Sequence, residues 1–424
     1  MSALSKKGRV SQEEAKSPTQ IPEHVLQGLK VLEMAQAGVG PMQARALAME
    51  GATVLRIESS KQLDMVRGLG PFNNLPSGHV ERSIWYPIHH PCKYSLRLNL
   101  KHPKAMAVMT PLIKWADLIV ESFRPGAIEG LGLSYEEVRK IKPDIIMLST
   151  SNLGHTGVVS TFRGTGNNLV GMSGWTELTG WPDRPAVQPH SSYTDWLIPP
   201  LGLSAIMAAL LNRRRTGKGT YLDLSQLEAS LHYMLPLLLD YQANGRIATR
   251  AGNRNPYAAP QGVYQCQGDE RWCAIAVETD EEWRKLCEVM GRHELADAPE
   301  FRSFPMRKRN EDKLDQLLQE WTKQYKAEVV MEKLQNAGIA ASVVQNAQDV
   351  FEDPELRSKG YFIEIDDTLR GRISYDINPF TFSKTRKKVE RAAYFGEHTQ
   401  QVCMDIIKMS EQEYASLQED GVFN

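Results

Sequence analysis

The sequence predicts an α/β fold, with a doubly wound, Rossmann-like large domain built on a parallel sheet and a smaller α+β domain. Strand and helix patterns alternate over residues 29–57, and the same alternation returns over residues 102–150. After residue 251 the pattern changes to paired strands followed by helices. A chain of 424 residues is also too long for one compact core, which favours more than one domain.

The first repeating unit is a strand, a helix and a second strand. Residues 29–34 form an apolar run typical of a buried strand, and Gly38-Val39-Gly40-Pro41 interrupts it. Proline suits the first turn of a helix, so we expect a helix over residues 42–50, ended by Gly51. Residues 53–57 then form the next strand. Such a unit has parallel strands and a right-handed crossover.

An irregular stretch over residues 59–93 precedes the next units. Helices are expected at residues 102–115 and 134–141, and strands at 117–121 and 144–150. In a doubly wound sheet, ligands bind at the carboxyl ends of the strands. The loops that follow those ends should therefore open on one edge of the sheet: residues 35–40, 59–61, 122–126 and 151–157.

The chain beyond residue 251 predicts a hairpin, with strands at residues 262–266 and 272–277 around the turn 267–270. Helices are expected near residues 280–290 and 310–335. The predicted organisation is a disordered tail (1–22), the N-terminal part of the large domain (23–226), a linker helix (227–251), the small domain (252–338) and a C-terminal segment returning to the large domain (339–424).

Composition argues against several classes of protein. Lysine plus arginine is 50 and aspartate plus glutamate is 51, so no basic excess indicates nucleic-acid binding. The clusters at residues 213–215 and 307–309 are interpreted as solvated helix ends. The five cysteines form no C-x-x-C pair, which argues against disulfides and a zinc site and favours a reducing cytoplasm. The apolar run 197–211 is too short to span a membrane and predicts a buried core helix.

Gly38-Val39-Gly40 is half of a dinucleotide-binding fingerprint. Its third glycine would fall at Gln43, and Glu58 ends the second strand where a ribose-binding acid would lie. A turn that merely starts a helix explains the glycines equally well. A nicotinamide-dependent oxidoreductase remains an alternative on this pattern.

Asp195 lies in Ser191-Ser192-Tyr193-Thr194-Asp195-Trp196, directly before the apolar run. An aspartate ahead of a helix is most often an N-cap. A carboxylate that faces a cavity instead can act as a covalent nucleophile. Both interpretations stay open from the residues alone.

Several segments in order resemble the class III coenzyme A transferases, the family of formyl-CoA transferases and carnitine CoA-transferases (CaiB/BaiF type). They are Gly28-Leu29-Lys30-Val31-Leu32-Glu33, Leu98-Asn99-Leu100-Lys101, Glu121-Ser122-Phe123-Arg124-Pro125-Gly126-Ala127, Ser134-Tyr135-Glu136-Glu137, Thr216-Gly217-Lys218-Gly219 and Gly396-Glu397-His398-Thr399. The resemblance implies an enzyme of the EC 2.8.3 type and an interlocked homodimer. Asp195 matches the family's catalytic aspartate.

The resemblance also implies the chemistry. Asp195 would form a mixed anhydride with the acyl group and then a thioester with CoA, which an acceptor carboxylic acid takes over. Neither a metal nor a tightly bound cofactor is expected, because the CoA thioester is itself a substrate. The candidate CoA contacts are Gly38, Val39, Arg97, Leu98, Asn99, Leu100, Phe123, Arg124, Asn152, Leu153 and Gly154.

The chain also departs from the family pattern. Cations common in the family are replaced at Ser59, Gly130 and Ser151, a tyrosine is replaced at Leu153, and a glutamine is replaced at Gly38. Formyl-CoA members carry a glycine-rich loop at the position of Ala258-Ala259-Pro260-Gln261. This difference argues against the formyl/oxalyl pair as the substrates of this chain. The racemase histidine is absent from Gly164-Thr165-Gly166-Asn167-Asn168-Leu169. A non-catalytic or partner-dependent subunit is the remaining alternative, and the acceptor acid is not identified.

Overall fold

The computed structural model describes residues 23–424, and the tail predicted for residues 1–22 lies outside them. A central sheet of six strands has the order β3-β2-β1-β4-β5-β6. Every neighbouring pair is parallel, which confirms the predicted parallel sheet. The strands are β1 (Lys30–Met34), β2 (Thr53–Glu58), β3 (Tyr94–Arg97), β4 (Leu118–Glu121), β5 (Ile146–Ser151) and β6 (Thr220–Ser225).

Helices cover both faces of this sheet. Adjacent residues of a strand point to opposite faces, and Val31 and Leu32 accordingly belong to two different cores. Leu32 packs in a core with Val108 and Leu112, whereas Val31 packs in a core with Leu47. The helices before β6 are α1 (Val39–Met49), α2 (Trp85–His89), α3 (Met106–Trp115), α4 (Ala127–Gly130), α5 (Tyr135–Ile141), α6 (Gly166–Met172), α7 (Trp175–Leu178), α8 (Tyr193–Leu197) and α9 (Pro199–Thr216).

The predicted core helix is buried on one side only. By length and composition alone, the continuous stretch Tyr193–Thr216 could cross a membrane, and 33% of its most apolar window is buried. Gly202, Ile206 and Ala209 of α9 are buried, on the side that contacts α1, β5 and β6. The opposite side is open, and Leu211 is 63% exposed.

A second sheet lies further along the chain, as predicted. β7 (Gln261–Gln265) and β8 (Trp272–Ala276) form the expected antiparallel hairpin, and β9 (Ala340–Val343) pairs with β8. Its core has Trp283 and Phe301 at the centre. The helices from β6 to β9 are α10 (Gln226–His232), α11 (Leu235–Asn244), α12 (Asp280–Met290), α13 (Glu294–Asp297), α14 (Phe304–Arg309), α15 (Glu311–Thr322) and α16 (Ala327–Asn336).

The interpretation of residues 307–309 as a solvated helix end is wrong for Arg307. Its side chain is fully buried. The guanidinium donates to the Ala259 carbonyl at 2.7 Å and pairs with Asp280 at 2.8 Å. The basic run in the sequence could not predict this burial, because the partners of Arg307 lie in distant parts of the chain.

The C-terminal segment packs into the core of the first sheet. Val402, Cys403 and Phe423 belong to the same buried cluster as Leu32. Residues 398 and 399 also bond to the outer edge of β3: the His398 amide donates to the Ser95 carbonyl at 3.0 Å, and the Arg97 amide donates to Thr399 at 3.0 Å. The elements here are α17 (Ala347–Glu352), α18 (Pro354–Ser358), β10 (Phe362–Asp367), β11 (Gly371–Asp376), α19 (Thr399–Gln401) and α20 (Glu411–Glu419), with a π-helical turn at Val402–Ile406 after α19.

The predicted domain division stays a prediction, although β9 lies beyond its boundary at residue 338. All five cysteines are buried and unpaired. The compartment likewise stays a prediction.

A buried ion network joins the segment between β2 and β3 to the sheet. That segment contains a 3₁₀ turn at Met65–Gly68 and α2. Arg56 on β2 pairs with Glu33 on β1 at 2.6 Å and with Asp64 at 2.5 Å. Arg67 pairs with Glu58 at the end of β2, also at 2.6 Å. Burial alone would raise the pKa of Glu58, but Arg67 and Arg56 outweigh it and hold that pKa below its ordinary value.

The same network extends to the C-terminal hairpin of β10 and β11. Arg67 pairs with Glu81 at 3.1 Å, and Glu81 also pairs with Arg370. Arg370 in turn pairs with Asp367 at 3.0 Å and donates to the Ala392 carbonyl at 2.9 Å. The Arg370 side chain is fully buried. The network therefore fixes two loops that have little regular structure of their own.

Replacing Arg370 with methionine should destabilise the protein by about 3–5 kcal/mol, because Asp367 would stay buried without its counter-charge and Glu81 would keep only Arg67. Urea unfolding compared with the wild type measures the loss. Arg372→Met is the matched control on the same hairpin, because Arg372 is 65% exposed and pairs with Asp366 at the surface. Its expected cost is below about 1 kcal/mol. Equal losses in the two variants would contradict the buried network.

Candidate functional site

Asp195 lies inside α8 rather than at its start. Ser192 precedes the helix, and the Asp195 amide donates to the Ser192 carbonyl at 2.8 Å. The following helix, α9, begins after Ile198, with no side chain capping it. The interpretation of Asp195 as an N-cap is therefore wrong. Its carboxylate is free to face elsewhere.

The Asp195 carboxylate is desolvated and has no counter-charge. Its Oδ1 atom is buried and has no hydrogen-bond partner in the part of the chain that the structure describes. Burial raises the pKa of Asp195 to about 6, and no neighbouring charge contributes. At pH 7 the group is therefore mostly ionised but poorly solvated, which is a state that favours reaction with an electrophile.

Two glycines make room for this carboxylate. A Cβ atom on Gly166, the first residue of α6, would lie 2.4 Å from Asp195 Oδ1 and 2.5 Å from the Ser192 Cβ. A Cβ atom on Gly38 would lie 3.4 Å from Asp195 Oδ2. A side chain at Gly166 would therefore press on the carboxylate, whereas a Cβ at Gly38 would make only an ordinary van der Waals contact with it.

Asp195 opens into a cavity of about 420 Å³ at the carboxyl ends of β1, β4 and β5. Five predicted site residues line it together with Asp195: Gly38, Val39, Phe123, Arg124 and Asn152. The Asn152 side-chain amide donates to the Gly164 carbonyl at 2.7 Å. Three of the four loops expected at one sheet edge therefore meet in this cavity.

A second cavity of about 670 Å³ adjoins the first. The two share Gln36, Ser122, Phe123 and Arg124, so the turn after β4 forms a partition between them. The predicted contacts Leu98, Asn99 and Leu100 line the second cavity, as does the loop that begins at Ser59. Its cationic lining residues are Lys61, Lys101 and Arg124.

Three predicted contacts line neither cavity. Arg97 packs against the C-terminal segment, with its guanidinium 5.2 Å from the centre of the Phe395 ring. Leu153 and Gly154 lie in the loop after β5 but outside both linings. A Cβ on Gly154 would meet Ser225 and Asp223 instead of a cavity.

The sequence reasoning missed one wall of the first cavity. Met65, Leu69, Trp85 and His89 form it, all from the stretch that was expected to be irregular. The His89 ring stacks on Trp196, with centroids 5.9 Å apart. Burial, with a smaller contribution from Lys93, lowers the pKa of His89 to about 3, so the ring is neutral at pH 7. No periodic signal could have found this wall, because the buried ion network places it.

Of the two aromatic side chains nearest Asp195 in the sequence, one lines the cavity. Trp196 does so and is 45% exposed, whereas Tyr193 packs edge-on against Trp175. Trp181 and Tyr257 also lie outside this lining, and Tyr257 is 80% exposed.

Glu58, the acidic residue expected to bind a ribose in a dinucleotide site, is already occupied by partners within the protein. Glu58 does end β2, but its carboxylate pairs with Arg67 and accepts a hydrogen bond from the Tyr86 hydroxyl at 2.9 Å. It is 4% exposed. A ribose would have to displace these buried partners.

Comparison with known proteins agrees with this architecture. The model of CoA-transferase family III matches residues 26–399. The chain belongs to CoA-transferase family III. Its catalytic activity is therefore CoA transfer between acyl-CoA thioesters and carboxylic acids, the reaction named in its relatives.

The relatives match over nearly their whole length. Succinyl-CoA–D-citramalate CoA-transferase from Chloroflexus aurantiacus is 29% identical over 94% of this chain and 98% of its own. The succinyl-CoA–L-malate CoA-transferase beta subunit from the same organism is 27% identical over 94% and 98%. A solved CAIB/BAIF family protein from Brucella suis superposes with a TM-score of 0.82 at 29% identity, covering 90% of this chain and 99% of that one.

Gly166→Ala should lower CoA-transfer activity at least about tenfold, because the new methyl group would displace the Asp195 carboxylate from its position. Steady-state transfer rates measure the loss, and a thermal melt shows whether the variant is folded. Gly171→Ala in the same helix is the matched control, since a Cβ there has no atom within 4 Å. Activity in Gly166→Ala equal to that of the control would show that the close approach does not matter.

Proposed function

We propose that the chain transfers CoA from an acyl-CoA donor to a carboxylic acid acceptor through covalent intermediates on Asp195. A carboxylate oxygen of Asp195 attacks the thioester carbonyl, the C–S bond breaks, and CoA leaves as its thiolate. The thiolate then attacks the aspartyl carbonyl of this anhydride. The donor acid departs, and CoA stays on Asp195 as a thioester.

The second half reverses these steps with a new acid. The acceptor carboxylate attacks the aspartyl thioester, which releases the thiolate and forms a second mixed anhydride. The thiolate attacks the acceptor carbonyl, so acyl-CoA is released and Asp195 is regenerated as a carboxylate. The thioester energy is conserved at each step, and no proton has to be supplied.

The observation that carries this proposal is the partly buried Asp195 carboxylate at the cavity, whose buried Oδ1 atom has no partner among residues 23–424. Several other buried acids are paired, such as Glu33, Glu58 and Glu81 with their arginines. Leaving one acid without a partner costs stability, which is typical of a functional group. A desolvated cavity also protects an anhydride from hydrolysis.

The second cavity fits the nucleotide part of CoA. Lys61, Lys101 and Arg124 supply cations for its phosphates, although the family's cations at Ser59 and Gly130 are missing from this cavity. The pantetheine arm would pass the partition at Phe123 to reach Asp195. Succinyl-CoA is the first donor to test because it is named in both relatives, and the acceptor panel should include dicarboxylic and aromatic acids.

Incubation with succinyl-CoA should add CoA to the peptide containing Asp195, and an acceptor acid should discharge it. Peptide mass spectrometry detects the adduct. Because the attacking form of Asp195 is the carboxylate, the rate of adduct formation should rise as pH increases through about 6 and then level off. Asp195→Asn should form none, whereas Asp183→Asn, at an exposed carboxylate, should behave as wild type. Turnover by the Asp195→Asn variant would refute the assignment of Asp195 as the nucleophile.

We also propose that a second copy of the chain covers α11. No residue of this helix is buried, and Leu235, Leu238, Leu239 and Tyr241 are 46%, 47%, 52% and 59% exposed. Such an apolar surface is typical of an interface, and the family resemblance implies a dimer. Light scattering should give twice the chain mass of 47.7 kDa, and Leu239→Glu should reduce it. A wild-type monomer would contradict the proposal.

The alternative is a partner-dependent subunit, which the name of one relative as a beta subunit favours. In that case CoA would stabilise the protein against heat, but no donor would modify Asp195. Addition of the unlike chain would then be needed for turnover.

A further inference from the structure

Beneath the partition between the two cavities lies a group of buried polar side chains without partners. Glu121, the last residue of β4, is fully buried, and its Oε1 atom accepts no hydrogen bond. Both ring nitrogens of His155 are buried and have no partner among residues 23–424. The His155 side chain is 7% exposed. Atoms of this kind are rare in folded proteins and call for an explanation.

Glu121 and His155 face each other. Glu121 Oε1 lies 3.6 Å from His155 Nε2, and Glu121 pairs in register with Ser149 on β5. The Asp223 carboxylate holds the backbone of His155 in place, because the His155 amide donates to both of its oxygens, at 3.0 and 2.9 Å. A small movement of either side chain would bring the carboxyl and imidazole groups into hydrogen-bond contact.

The other oxygen of Glu121 holds the partition. Oε2 accepts a hydrogen bond from the Phe123 amide at 2.7 Å. Phe123 and Arg124 line both cavities. The protonation of Glu121 therefore changes the strength of a bond that orients this turn, since an ionised acceptor binds an N–H more strongly than a neutral one.

We propose that Glu121, which faces His155, is a positioning residue, and that loss of the Glu121 proton tightens the Phe123–Arg124 turn and strengthens acyl-CoA binding. This inference rests on the proposed function, because it assigns the turn to CoA. The ionisation of Glu121 needs no further reactant. The proton leaves the Glu121 carboxyl group to water, and no covalent bond to carbon changes.

The surroundings of Glu121 place this change near neutral pH. Burial raises its pKa to about 7, and the charges of Glu129 on α4 and Asp223 on β6 add to the effect. Ser149 and the Phe123 amide act in the opposite direction. Tyr221 on β6 stays neutral there, because burial raises its own pKa to about 12. Below pH 7 Glu121 is mostly protonated and the turn is held weakly; above pH 7 it is ionised and the turn is held firmly.

Calorimetric titration with CoA at pH 6 and pH 8 tests the proposal. Glu121→Gln keeps an oxygen acceptor for the Phe123 amide but cannot ionise. The wild type should gain about fivefold more affinity between pH 6 and pH 8 than Glu121→Gln gains. Ionisation of the CoA phosphates contributes equally to both proteins and cancels in this comparison. Glu136→Gln, at an acid on α5 that is 70% exposed, should keep the wild-type pH dependence.

Transfer kinetics separate positioning from general damage. Glu121→Ala should raise KM for succinyl-CoA with little change in kcat, and Glu121→Gln should restore most of the binding at pH 6. Identical pH dependence in the wild type and Glu121→Gln would overturn the role of the pair while leaving the Asp195 chemistry intact. Failure of the wild type to bind CoA at either pH would overturn this inference and the proposed function together. If Glu121→Gln does not fold, His155→Gln should also change the pH dependence, and its failure to do so would overturn the proposal.

Discussion

The pairing of Arg56 and Arg67 with buried carboxylates is the interaction on which the site depends. Glu33 and Glu58 extend from strands of the sheet, whereas Asp64 and Glu81 belong to the segment between β2 and β3. That segment supplies one wall of the cavity at Asp195. It has no sheet of its own to hold it, so its shape follows from charge pairing in a region from which water is excluded.

Against this background of paired charges, two acids stand out. Asp195 faces a cavity without a counter-charge among residues 23–424, and Glu121 meets the His155 imidazole beneath the loop next to it. Burial keeps both acids more basic than aspartate or glutamate in water. They differ in what they touch: Asp195 meets the cavity, and Glu121 meets backbone. One is suited to chemistry and the other to shaping the place where chemistry occurs.

The sequence predicted the parts of the fold that repeat. The four inner strands of the large sheet and the later hairpin carry strong apolar patterns, and all of them are present. The missed strands β3 and β6 are the two edges of the large sheet, where one partner strand and partial exposure weaken the pattern. In the site, the positions of Asp195 and Phe123 followed from motif order. The wall at Met65 and His89, and the turning of Arg97 toward Phe395, depend on contacts between distant residues and left no local signal.

The bonds from residues 398 and 399 to β3 have a consequence for synthesis of the protein. A ribosome delivers Tyr94–Arg97 long before it delivers His398 and Thr399, whose groups occupy the open side of that strand. Until then the growing chain carries an unprotected sheet edge, which is a template for association with other nascent chains. The N-terminal part of the chain alone therefore cannot complete the hydrogen bonding of the large sheet. A chain that terminates before residue 398 would leave the β3 edge unpaired and prone to aggregation.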